Sequence, residues 1–295
     1  MILAVASGKG GTGKTTVALN LAAVSQESVH LLDCDVEEPN CHIFMTPEFN
    51  STERFTLPYP VIDAKRCTGC GECSRICQYN AVVSLKSTPL VFPELCHGCG
   101  GCVEVCPEKA VTEGIREIGT IRSGTWRHIS FVQGLLDVGQ SLSPPLIREV
   151  KRHSGVNGIT IIDCPPGTSC PVIAAVNKSD YVVLVSESSP FGRHDLELAV
   201  DTVCKLNLHF GVVINRVSSM DHRVADYCRS ERIPILLEIP DDRKAAEAYS
   251  RGHLLVDKVS GFRKLFEGLY ARILSESRRS RKPAPGNNGN IECTA

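Results

Sequence analysis

An octapeptide near the start of the chain, Gly8-Lys9-Gly10-Gly11-Thr12-Gly13-Lys14-Thr15, satisfies the spacing G-x-x-x-x-G-K-S/T. An apolar run over residues 2–6 precedes it, and a helical pattern from Lys14 to Val24 follows. The order strand, glycine loop, helix restricts the chain to folds in which backbone wraps an anion at a helix N-terminus. Glycines let successive N–H groups converge on phosphate oxygens without Cβ clashes. Lys14 then reaches the β- and γ-phosphates, and the Thr15 hydroxyl faces Mg²⁺. Residues Gly8 to Thr16 are thus the expected phosphate-binding segment.

Further strands are expected at Val29–Leu32, Gly158–Ile162, Tyr181–Val185, Phe210–Ile214 and Ile233–Ile239, with Pro234 marking the last as an edge. Helical patterns lie between them, including Leu196–Leu206 and Arg243–Arg251. This alternation implies an α/β fold with a mostly parallel, helix-covered sheet. From about Phe55 prolines and then cysteines take over, until about Gly114. The expected organisation is a discontinuous α/β domain, residues 1–58 and 115–277, a cysteine-rich insert, 59–114, and a disordered tail, 278–295, basic and then rich in Pro, Gly and Asn. The apolar N-terminus lacks a basic region and a cleavage site and reads as a core strand. No apolar stretch is long enough to span a bilayer, so stable membrane insertion is not expected. The formal net charge of −1 gives no footprint for nucleic acid. A cytoplasmic location follows as the expectation.

Eight of the fifteen cysteines lie between Cys67 and Cys106. Cys67-Thr-Gly-Cys70-Gly-Glu-Cys73-Ser-Arg-Ile-Cys77 is echoed by Cys96-His-Gly-Cys99-Gly-Gly-Cys102-Val-Glu-Val-Cys106. A disulfide scaffold is one reading, but such scaffolds are small and carry no nucleotide loop. Zinc is another, although zinc knuckles pair two-cysteine motifs across longer gaps. Both runs read C-x₂-C-x₂-C-x₃-C, the bacterial two-cluster ferredoxin pattern, in which the fourth cysteine serves the other cluster. The pattern assigns one 4Fe-4S cluster to Cys67, Cys70, Cys73 and Cys106, and a second to Cys96, Cys99, Cys102 and Cys77. Cys77 is followed by Gln78 where the pattern has proline, as at Pro107.

With Lys9 in place, the glycine loop resembles the deviant Walker A motif of the MinD/ParA/Mrp and nitrogenase iron-protein group of P-loop ATPases. The whole resembles a MinD-superfamily ATPase containing a ferredoxin domain. Glu37-Glu38-Pro39-Asn40 and the run from Ser189 to Leu196 add matching text. The resemblance implies an ATP-dependent homodimer, with Lys9 reaching the partner's nucleotide and joining Lys14 in catalysis. It implies that Asp35, in Asp33-Cys34-Asp35, orients the attacking water. Thr15, Asp33 and Asp163 would hold Mg²⁺, with Gly167 in Asp163-Cys164-Pro165-Pro166-Gly167 as a switch pivot. Asn215 and Arg216, with Pro240 and Asp241, resemble the adenine side of the site. Cys170 has the spacing of a dimer-bridging cluster ligand in the nitrogenase iron protein, but a buried structural thiol is the favoured reading.

Three functions follow from the resemblance. The first is an ATP-hydrolysing protein that couples nucleotide state to electron transfer with a redox partner. The second is a cluster carrier or cofactor-assembly ATPase, weakened because Cys204 and Cys228 do not form the Cys-x-x-Cys of Mrp-type carriers. The third is a positioning ATPase of the ParA/MinD kind. For this one only the apolar stripe Phe262, Leu265, Phe266, Leu269, Tyr270, Ile273, Leu274 and the basic run after it speak, and the stripe reads first as a helix packed on the sheet.

Overall fold

The structure, a computed structural model, describes residues 1–85, 87–217 and 221–281. In chain order the elements are β1 (Ile2–Ala6), α1 (Lys14–Val24), β2 (Val29–Asp33), α2 (Cys41–Met45), β3 (Glu48–Ile62), α3 (Glu72–Ile76), β4 (Val82–Val83), β5 (Leu90–Val91), α4 (Gly101–Glu104) and β6 (Val111–Trp126). Then follow β7 (Ile129–Leu136), α5 (Pro144–Arg152), β8 (Ile159–Asp163), α6 (Cys170–Val176), β9 (Tyr181–Glu187), α7 (Pro190–Lys205), β10 (Phe210–Val217), α8 (Arg223–Ser230), β11 (Ile235–Pro240), α9 (Arg243–Ser250), α10 (Leu255–Lys258) and α11 (Phe262–Arg281).

Nine strands form one sheet in the order β11-β10-β9-β1-β8-β2-β7-β6-β3. From β11 to β7 every pair is parallel, and β6 and β3 join antiparallel. Strands β1, β8 and β9 are buried along nearly their whole length. Both faces must therefore be apolar, which is why these segments read as continuous hydrophobic runs and not as alternations. Pro190 begins α7, and the Ser189 hydroxyl accepts from the Gly192 N–H at 3.0 Å, a side-chain N-cap. β11 is an outer strand, as Pro234 implied.

Strands β3, β6 and β7 extend the sheet beyond what the sequence implied. β3 alternates buried and exposed positions only loosely and carries Pro58 and Pro60. Those prolines are tolerated because β3 is the other outer strand and an edge needs no donor on its free side. The expected boundaries at 59 and 114 fall inside β3 and β6, which pair from Glu48↔Thr125 to Ile62↔Val111. Only Gly119–Trp126 of β6 also pairs with β7. The remainder overhangs the C-terminal end of β7, the end on which β2 places Asp33. The cysteine-bearing segment is thus held out from the C-terminal end of the parallel strands, the end that also carries the glycine loop. At about 3.3 Å per residue the ribbon spans roughly 45 Å.

Residues 278–281, expected in a disordered tail, belong to α11, and residues 282–295 lie outside the described residues. Phe262, Phe266, Leu269 and Ile273 are buried in the core beside α1. No helix among the described residues is long and apolar enough to cross a membrane. The α11 stripe is therefore a packing face: Phe266→Ala should destabilise the protein by about 3–5 kcal/mol in urea unfolding. Glu267→Ala, on the exposed face of the same helix, should stay within about 0.5 kcal/mol.

Candidate functional site

The glycine loop links the buried end of β1 to the first turn of α1. Gly13, at the N-cap of α1, has φ of 99°, a conformation that costs a side-chain-bearing residue and costs glycine little. At Gly8 the reason is space, because a Cβ there would lie 2.0 Å from the Asp195 carbonyl oxygen of α7. Lys14 and Thr15 are only 6% and 8% exposed.

Behind the loop, β2 and β8 place Asp33 and Asp163 in register, both fully buried. The Thr15 hydroxyl donates to Asp163 Oδ2 at 2.6 Å. The Cys41 N–H donates to Asp33 Oδ2 at 3.1 Å, and the Cys41 thiol donates to Asp163 Oδ2 at 3.4 Å. Donor atoms of Asp33, Cys41 and Asp163 lie within 4.8 Å of one another, and Asp163 Oδ1 is buried with no hydrogen-bond partner. Burial pushes the Asp33 carboxyl well above its ordinary range, and the charge of Asp163 pushes it further. Burial also raises Asp163, against the opposing pull of Thr15 and Lys14. Two adjacent buried carboxylates with an orphaned oxygen beside a lysine and a threonine hydroxyl fit a hard divalent cation such as Mg²⁺. Asp35 is pushed up to about 6, first by burial, with Lys14 opposing and Asp163 adding.

In front of the loop is a cleft of about 270 Å³. It brings together Gly10, Gly11, Gly13, Lys14, Thr15, Thr16, Asp35, Asn215, Arg216, Pro240 and Asp241 from the sequence reading. Gly8, Lys9 and Thr12 do not line it, and Asp33 and Asp163 lie beneath it. Asn215 Nδ2 donates to the Thr12 carbonyl at 2.8 Å, bracing the loop. Lys9 points elsewhere in this protomer: its Nζ is 2.6 Å from Glu187 and 3.9 Å from Asp195. Sequence reasoning missed Tyr249, an exposed aromatic of α9 that lines the cleft and packs on Phe44 with ring centroids 4.9 Å apart. An exposed tyrosine one helix after the Pro240-Asp241 loop was the available signal. Cys41 was missed as well, since its place depends on α2 folding back under the carboxylates.

The eight clustered cysteines are free thiols, which removes the disulfide reading for them. Cys67, Cys70, Cys73 and Cys106 line one cavity, and Cys77, Cys96, Cys99 and Cys102 line another. The fourth cysteine of each run has crossed to the other set. Gly69, Gly71, Gly98 and Gly100 all have positive φ, and they turn the chain tightly around the thiols. Backbone N–H groups face sulfur, Gly98 to Cys96 Sγ at 3.4 Å and Ala110 to Cys106 Sγ at 3.2 Å. Burial raises the Cys73 thiol, and it pushes Cys102 up to about 11 with neighbouring cysteines adding. Thiols so crowded would ionise together only around a cationic centre, and two four-sulfur cages with N–H donors fit cubane clusters. Cys170 sits apart at the first turn of α6, exposed and not buried as expected.

Residues 3–256 match the family model described as the CobQ/CobB/MinD/ParA nucleotide binding domain. An uncharacterized protein of Methanocaldococcus jannaschii is 34% identical over 226 residues, covering 73% of this chain and 78% of that protein. A second uncharacterized protein of the same organism is 28% identical over 258 residues, covering 85% and 90%. Among solved structures, the septum site-determining protein MinD of Pyrococcus horikoshii, complexed with Mg-ADP, superposes with a TM-score of 0.57 at 19% identity. That match covers 91% of this chain and 93% of that one.

The carboxylate pair makes a test of the cation site. Asp33→Asn removes a buried carboxyl whose charged form burial and Asp163 both disfavour. It should stabilise the metal-free protein by about 1 kcal/mol, or roughly 2–4 °C. The same change should abolish the rise in thermal midpoint that Mg²⁺ gives the wild type, as read by calorimetry with and without the ion.

Proposed function

The chain belongs to the CobQ/CobB/MinD/ParA family of nucleotide-binding domains, and from that premise we propose that it is an ATPase, dimeric when ATP is bound, that couples nucleotide state to electron transfer with a partner protein. The observation that carries the reading is a juxtaposition. The phosphate cleft and the ribbon that bears the two four-cysteine cavities both lie at the C-terminal end of the parallel strands, and β3 begins three residues after α2 ends.

In this reading Lys14 and the loop N–H groups take up the charge of the β- and γ-phosphates. Thr15, Asp33 and Asp163 would hold Mg²⁺, which would offset phosphate charge when bound. Asp35 accepts a hydrogen bond from the attacking water; raised to about 6, it is still a carboxylate at neutral pH. Asn215, Arg216 and Asp241 line the base side of the cleft, with Tyr249 offering a ring face. Lys9, one-third exposed and held by Glu187, is free to exchange that partner for a nucleotide across a dimer. The cysteine sets hold the two clusters, which supply one-electron chemistry when bound. The chain fixes the sulfurs through its left-handed glycines and turns N–H groups onto them.

Cluster carriage or cofactor assembly is a second reading, favoured by one observation: each cavity has one exposed ligand, Cys70 and Cys99. A positioning ATPase of the ParA/MinD kind is a third reading, supported by the family match and by the fold shared with the septum site-determining protein MinD.

Anaerobically purified protein should be brown and hold about eight irons per chain; a colourless or zinc-loaded preparation would end the proposal. Lys14→Ala should weaken ATP binding about 100-fold, the loss of a buried charge contact worth roughly 3 kcal/mol. Lys9→Ala should bind ATP within a few-fold of wild type yet stay monomeric in sedimentation with a non-hydrolysable analogue. ATP-dependent reduction of an acceptor with iron retained supports electron transfer, whereas ATP-dependent transfer of iron to an apo-protein supports carriage.

A further inference from the structure

Coupling of nucleotide to a cluster requires a physical route, and the two cavities are not equivalent in that respect. Arg116 lies on the overhanging part of β6, opposite Leu57. Its guanidinium is forked between two segments. Nη1 donates to Gln140 Oε1 at 2.7 Å, and Nη2 donates to the Cys96 carbonyl at 3.3 Å. Nε is buried without a partner. Gln140 belongs to the loop between β7 and α5, and that loop grips the segment after Asp35. The Ser143 hydroxyl donates to Glu37 Oε1 at 3.0 Å, and the Leu136 N–H donates to the Val36 carbonyl at 2.8 Å. Asp35 itself lines the nucleotide cleft. Contacts therefore run without a break from the cleft, through residues 35–37 and the 136–143 loop, to Arg116 and the Cys96 loop.

Among the described residues the other cavity has no such tie. Among the described residues, the arginines beside it bond within the module, Arg66 to the Glu108 carbonyl and Arg75 to Glu72 and the Cys70 carbonyl. The charge environment differs in the same sense. Arg116 is half-buried, Arg148 of α5 acts on His97 beside Cys96, and the one acid on that cavity's rim, Glu113, is exposed. A fixed positive charge in a partly dry site favours the reduced, more negative form of a cluster.

We propose that Arg116 is a positioning residue that gives the Cys77/Cys96/Cys99/Cys102 cluster the higher reduction potential and makes it the one that senses nucleotide. This rests on the ATP-coupled iron–sulfur reading above. Movement of residues 35–37 on nucleotide exchange would shift the 136–143 loop, and the guanidinium fork would carry that shift to the Cys96 carbonyl. The Cys67/Cys70/Cys73/Cys106 cluster would be left as the nucleotide-insensitive terminus.

The test is a redox titration followed by electron paramagnetic resonance on the cluster-loaded protein, with ADP and with a non-hydrolysable ATP analogue. Cys70→Ser and Cys99→Ser, each altering one signal, assign the two clusters. In the wild type, the signal altered by Cys99→Ser should have the higher midpoint and should be the one that moves between nucleotides. Arg116→Gln should lower that midpoint and erase its nucleotide dependence. Arg116→Lys should keep the midpoint near wild type, since the charge remains, yet lose the dependence, since one ammonium does not bridge both carbonyl groups. Ser143→Ala should leave the midpoint in ADP alone and shrink the nucleotide shift. Equal response of both signals to nucleotide, or a full nucleotide shift surviving in Arg116→Gln and Ser143→Ala, overturns the assignment to Arg116. Wild-type protein that holds no iron or binds no ATP, measured beforehand, overturns the parent reading with it.

Discussion

Two carboxylates set side by side in a dry interior are the constraint around which this molecule is arranged. Asp33 and Asp163 end adjacent parallel strands in the same register, fully buried. In a medium of low dielectric such a pair repels, and neither charge is cheap without a counter-charge. The surrounding chain offers donors: the Thr15 hydroxyl, the Cys41 N–H and thiol, and the charge of Lys14. These satisfy part of the demand and leave Asp163 Oδ1 without a partner. A site left incomplete in this way fits a small hard cation. The parallel sheet makes the pair possible, because only adjacent parallel strands deliver two C-terminal carboxylates to one point beneath a helix N-terminus.

The second architectural decision is where the cysteine module is hung. β6 is shared, its later residues pairing with β7 and its earlier residues projecting past it. Continuous backbone therefore joins the sheet to the cysteine module. Arg54 strengthens this root, bonding Thr120 at 2.7 Å, Glu117 at 2.9 Å and Asp137 at 3.1 Å or less. Close by, Arg122 of β6 lies 3.6 Å over the ring of Phe49 and electrostatically faces His42 of α2. The ribbon root is thus fastened both to the 137–143 loop and to the helix that follows Asp35.

Much of this was legible in the residues, and the parts that were not have physical causes. The central strands announce themselves because burial on both faces demands unbroken apolar text, as in Leu3–Ala6 and Tyr181–Val185. The glycine loop and the cysteine runs are local spacings, and the folded chain gathers each into one place. The β3–β6 ribbon was hidden because its strands are half-exposed, its alternation is broken by bulges near Asn50 and Phe55, and prolines usually argue against a strand. Cys41 beneath the carboxylates and the Arg116 bridge to Gln140 are long-range contacts between polar residues, for which no periodicity exists. Tyr249 was passed over because a lone exposed aromatic on a helix is ordinary until the cleft beside it is known.

The outer strand β3 carries a further consequence. An unpaired strand at the rim of a large sheet is a template on which a second chain can polymerise. Pro58 and Pro60 both lie in this outer strand, and the Cys96 thiol approaches the Pro58 carbonyl at 3.8 Å. Neither has an N–H to offer a newcomer. The segment that leads directly into the cysteine loops therefore guards its own margin, and the module can stand well clear of the body without inviting sheet-to-sheet aggregation.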